Sequence, residues 1–111
     1  MATNDIFRCL ADPVRRSILE LLAVSDLPVT EVASHFEVSR PAISRHLRVL
    51  RDAGLVAESR SGRQRIYRLH TQVLESVADW VEEVAARRGV GSAPRSGDED
   101  GRDQRVAWRQ W

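Results

Sequence analysis

Only Glu37 and Val38 separate two helical stretches, VTEVASHF at 29–36 and the stretch that Ser39 opens. Two helices joined by so few residues must bend sharply against one another. Thr30 or its neighbour opens the first of the pair, with Val32, Ala33 and Phe36 facing inward. Ser39 is a helix-capping residue type, and Gly54 can take the left-handed conformation that ends a helix. The joint lacks the glycine often found there.

The flanking sequence fits around this pair. Asn4 or Asp5 caps a short first helix with Ile6, Phe7 and Leu10 on one side. Asp12 and Pro13 restart a second helix, which runs to about Val24 with Ile18, Leu19, Leu21 and Leu22 apolar. Asp26-Leu27-Pro28 reads as a turn. After Gly54, LVAESR (55–60) and QRIYRL (64–69) alternate in polarity around Ser61-Gly62-Arg63, the pattern of a β-hairpin. A last helix spans about 72–88, with Val73, Val77, Trp80, Val81 and Val84 on one stripe. The fold class is therefore mainly α with a small β-hairpin, a winged helix-turn-helix over residues 1–88. Residues 89–111 read as a disordered tail, too rich in Gly, Ser, Asp and Arg for a packed core. Trp108 and Trp111 stand in it at helical spacing, either as a short docking motif or as the end of the tail.

The stretch SRPAISRHLRVL (39–50) carries the chemistry. At about 100° per residue, Ile43, Leu47 and Leu50 form one stripe, while Arg40, Pro41, Ser44, Arg48 and Arg51 occupy the opposite side with Arg45 beside them. His46 falls next to the apolar stripe, so a packing or phosphate-bonding role suits it better than base reading. Net charge is only +1, but it is unevenly divided. Residues 40–68 hold eight arginines against Asp52 and Glu58. The segments before and after hold three arginines against six acids and six against eight. A basic block inside a near-neutral chain is the electrostatic footprint of a phosphate binder. An isolated basic helix could be a solvated surface, but Arg60, Arg63 and Arg65 cluster at the hairpin tip that follows, giving two adjacent basic elements. Arginine can bond guanine bidentately and serine can donate or accept, so double-stranded DNA is the expected partner.

Three segments together resemble the ArsR-type winged-helix transcriptional repressors: FRCLADPVRRSILELL, VTEVASHFEVSRPAISRHLRVLRDAGLV and SGRQRIYRL. The likeness spans about residues 4–88. It implies a homodimer paired through the first and last helices, here Ile6, Phe7, Leu10, Val73, Val77, Trp80, Val81 and Val84. It implies repression from a palindromic operator, commonly the repressor's own. By position, Ser39, Arg40, Ser44 and Arg45 match the DNA-reading segment. Many members have glutamine where Arg40 stands.

Metal-sensing members carry a Cys-x-Cys pair in the third helix or Asp/His pairs on the last. This third helix has no cysteine, and no histidine follows His70, so no metal ligand set and no cofactor is expected. Cys9, the single cysteine, reads as a small hydrophobe in the dimer interface; the alternative is a metal- or redox-responsive repressor using it. A winged helix serving as a protein-interaction module is the other competing function. No nucleophile–base set or phosphate loop marks an enzyme, and no effector can be named. With no signal-peptide pattern and no apolar run of about 18 residues, the expected location is the cytoplasm, with no membrane association.

Overall fold

A computed structural model describes residues 3–88. Five helices and three short strands follow in the order α1 (Thr3–Leu10), α2 (Pro13–Val24), β1 (Leu27–Pro28), α3 (Val29–Ser34), α4 (Arg40–Asp52), β2 (Val56–Ser61), β3 (Gln64–Leu69) and α5 (Thr71–Arg88). The chain divides into two compact units, Met1–Glu75 and a second that begins at Ser76. The first holds everything up to the start of α5; the described part of the second is the remainder of that helix.

Local chemistry accounts for most boundaries. Asp12 caps α2 by accepting from the backbone N–H of Val14 at 2.8 Å and of Arg15 at 3.2 Å, with Pro13 already set to a helical φ behind it. Burial pushes the Asp12 carboxyl upward, but those two N–H bonds, aided by the charge of Arg15, outweigh it, and its pKa lies below the ordinary value. The cap is therefore held fully above the unfolded carboxyl's pKa and is lost as pH falls through the lower, folded one. Ser39 Oγ caps α4 by accepting from Ala42 N at 3.2 Å. Gly54 ends it at φ 81°, where a Cβ would also meet Val73 Cγ2 at 3.3 Å. Gly62 at φ 65° makes the two-residue hairpin turn, with Ser61 opposite Gln64.

Three readings are corrected. Leu27-Pro28 is not a free turn: it is a strand, pairing antiparallel with Tyr67 and Ile66, so the sheet has three strands in the order β1-β3-β2. Proline suits this edge because it removes only a donor that an edge strand can spare. The third helix is shorter than its apolar spacing suggested, ending at Ser34, and the joint to α4 runs through residues 35–39. The first helix begins at Thr3, so Asn4 and Asp5 lie inside it rather than before it. The stretch 89–111, with Trp108 and Trp111, lies outside the described residues.

The core of the first unit gathers Ile18, Leu19 and Leu22 of α2, Val32 of α3, and Ile43, Leu47 and Leu50 of α4, closed by Leu55, Val56 and Tyr67. Ile43, Leu47 and Leu50 of α4 are wholly buried, so the opposite face of the helix is turned outward. Among the described residues no helix is long and apolar enough to cross a membrane.

Candidate nucleic-acid interface

The outward face of α4 and the hairpin enclose a groove of about 430 Å³. Arg40, Ser44, Arg48 and Arg51 line it from α4; Arg63, Gln64, Arg65 and Tyr67 line it from the hairpin. Pro28, Val29 and Thr30 close its third side. Five of these residues are arginines and no described carboxylate is among them. Side chains of α4 and of the hairpin thus line one cationic surface.

The arginines are not equivalent. Glu58, on β2 and with its side chain only 18% exposed, accepts from Arg51 Nη1 at 2.8 Å and faces Arg65 Nε at 3.4 Å. Arg51 is also 3.6 Å from Asp52, and the bond to Glu58 helps hold its guanidinium charged. The carboxylate braces the end of α4 against the hairpin. Arg40, Arg45, Arg48, Arg60 and Arg63 make no ion pair among the described residues. Arg45 and Arg60 are exposed but outside the groove lining. Arg60 stands directly opposite Arg65 across the hairpin. Like charges so placed repel, and the hairpin tolerates them where an anion can lie between or over them.

Ser39 and Pro41 belong to the first turn of α4, and both are exposed. His46 lies elsewhere. Its ring is half-buried, and Nδ1 stands 3.3 Å from Arg15 Nη1 of α2, outside the groove lining. Thr30, Gln64 and Tyr67 were not anticipated at the groove. Thr30 and Tyr67 come to it through the β1–β3 pairing, and a two-residue strand containing proline leaves no periodic signal to detect.

Of the apolar residues expected at a subunit interface, Ile6 is already 8% exposed in the single chain, while Phe7 and Leu10 are half-buried. On α5, Val73 and Val77 are half-buried, and Trp80, Val81 and Val84 are exposed. Cys9 lies in the core at 3% exposure, with Sγ 3.8 Å from the carbonyl of Val49, rather than on an open face. Burial pushes its thiol pKa up, Arg15 offsets part of that, and Asp5 and Asp52 add to it. The protonated thiol is the weaker nucleophile. In the native protein Cys9 is therefore expected to react with iodoacetamide far more slowly than after unfolding in urea; equal rates would contradict its burial. Among the described residues no three His, Cys, Asp or Glu side chains group as a metal site.

The chain is similar in sequence and fold to known proteins. Residues 12–58 match the model of the family described as "Bacterial regulatory protein, arsR family". The transcriptional repressor SdpR of Bacillus subtilis is 38% identical over 78 residues, which is 70% of this chain and 87% of SdpR. An ArsR-like transcriptional regulator from Rhodococcus sp. RHA1 superposes with a TM-score of 0.69 at 32% identity, covering 81% of this chain and 85% of that one. A homodimeric winged helix-turn-helix DNA-binding domain from Mycobacterium bovis gives a TM-score of 0.62 at 27% identity, covering 77% of this chain and 79% of that one.

Proposed function

The chain belongs to the arsR family of bacterial regulatory proteins and is a DNA-binding transcriptional regulator, not an enzyme, and from that premise we propose that it works in the cytoplasm as a homodimeric autorepressor on an inverted-repeat operator. The groove with five arginines between α4 and the hairpin carries this reading. The N-terminal half of α4, with Ser39, Arg40, Pro41, Ser44 and Arg45, enters the major groove, where the N-terminal residues of a recognition helix reach base edges. Arg48 follows on the same face. Arg60, Arg63 and Arg65 of the hairpin neutralise phosphates or enter the minor groove.

The dimer follows from α5. It runs 18 residues without one buried side chain, although Trp80 is 49% and Val84 45% exposed. A second copy, laying its own α1 and α5 against these, removes that apolar area from water. That the similar Mycobacterium bovis domain is homodimeric supports pairing of two copies. Trp80→Ala is expected to cost about 3–5 kcal/mol of combined folding and association energy. Sedimentation equilibrium reads it: a parent protein already monomeric at micromolar concentration contradicts the dimer.

Two recognition helices related by a two-fold axis meet successive major grooves about one helical turn apart. Genomic fragments captured by the purified protein should therefore converge on an imperfect inverted repeat and include its own promoter. Capture without sequence enrichment contradicts the proposal.

A further inference from the structure

We infer that His46 is a positioning residue, which through Nδ1 ties the recognition helix α4 to Arg15 and, by way of Arg15, to the end of α1. Arg15 uses three of its side-chain nitrogens on two other helices. Nε donates to the carbonyl of Cys9 at 3.0 Å and Nη2 to that of Arg8 at 3.1 Å, both at the C-terminal end of α1. Nη1 donates to His46 Nδ1 at 3.3 Å. A guanidinium has no acceptor, so in this pairing Nδ1 is bare and the ring proton sits on Nε2. The backbone of Arg15 is fixed as well, because its N–H donates to the Asp12 cap. Little freedom is left in the donor, and the bond to His46 is pre-aimed.

The consequence concerns the roll of α4 about its own axis. Ile43, Leu47 and Leu50 hold the helix by apolar contact, which has no preferred direction. A roll of about 20° would carry side-chain tips lying about 6 Å from the axis through about 2 Å, more than a hydrogen bond tolerates. His46 sits on the flank between the buried stripe and the cationic face, where a directional bond limits that roll. Arg40 and Ser44 are then presented to base edges at a fixed angle, referenced to α1.

The assignment rests on the DNA-binding reading of α4, and two isosteric substitutions test it separately. In His46→Asn the amide oxygen falls near the place of Nδ1 and can still accept from Arg15. In His46→Gln the amide falls near the place of Nε2 and cannot. Binding to the captured operator duplex and to a random duplex is measured for the parent and both variants, with circular dichroism and sedimentation as checks of fold and dimer. The Asn variant is expected within about threefold of the parent on the operator. The Gln variant should lose about tenfold there, the scale of one hydrogen bond, and little on random DNA, with an unchanged salt slope. Adding Arg15→Met to His46→Gln should lower operator affinity no further. The imidazole ¹⁵N spectrum of the parent should show a bare Nδ1, perturbed by Arg15→Met. Rescue by Gln rather than Asn, or equal losses with a reduced salt slope, would mean that the ring contacts DNA itself and overturns the inference. Variants indistinguishable from the parent, or a protonated Nδ1, overturn it too. A parent without sequence preference removes the DNA reading beneath it, a failure seen before any variant is compared.

Discussion

Leu47→Ala is expected to lower the free energy of unfolding by about 2–5 kcal/mol, the range for truncating a leucine in a packed core. Leu47 is wholly buried, between Ile43 and Leu50 on the inward stripe of α4. That stripe belongs to the same cluster as Ile18 of α2, Val32 of α3 and Leu55. Removing three carbons here opens a cavity that elements on several sides would have to move to fill. Domains hold only about 5–15 kcal/mol in total, so the loss is a large share of the margin. Urea denaturation of Leu47→Ala beside Val49→Ala, which truncates a residue 40% exposed on the same helix, checks it. For the control, a change within about 0.5 kcal/mol is expected. Equal midpoints for the two variants would mean that α4 does not face inward as described.

What could be read from the sequence was whatever has a local cause. Asp12 with Pro13 at the start of α2, Ser39 and Gly54 at the ends of α4, and Gly62 between two alternating runs each act through neighbouring residues, and each stands where expected. The cationic face was legible because helical periodicity alone sets Arg40, Ser44 and Arg48 opposite Ile43, Leu47 and Leu50. Features that depend on distant partners were not. Strand β1 exists only because Tyr67 and Ile66 lie alongside it. Phe36 packs on the core from the joint, not from a helix, which is why the apolar spacing overran the end of α3. Glu58 could be counted as a charge, but its hold on Arg51 and Arg65 needed the fold to bring α4 and β3 to one carboxylate. The wheel set His46 beside the apolar stripe, and only the packing of α2 on α4 supplied Arg15 as its partner.

The second large effect separates reading from holding. Arg40→Ala is expected to weaken operator binding by roughly 1–3 kcal/mol per subunit and random DNA much less, because a base contact is lost from the first turn of α4. Arg63→Ala should weaken both, and should flatten the dependence on salt by about one unit of logarithmic slope for each phosphate contact removed. Both residues line the groove, and neither has an ion pair among the described residues, so neither substitution strands a carboxylate. Arg65→Ala differs in this respect, since it leaves Glu58 with Arg51 alone. In a dimer each change acts twice. Titrations at several salt concentrations against operator and random duplexes check the split, and identical losses on both duplexes for Arg40→Ala would remove its base-reading role.

The most direct test of the interface is the double substitution Arg40→Ala with Arg63→Ala, assayed on a duplex carrying the protein's own promoter. Circular dichroism and sedimentation first establish that the variant is folded and in the same association state as the parent. With α4 and the hairpin holding DNA, that folded variant loses at least about tenfold in affinity and its residual binding shows a shallower salt slope. Unchanged affinity would contradict the account: the cationic groove would be a solvated surface, and the winged helix would meet a protein instead.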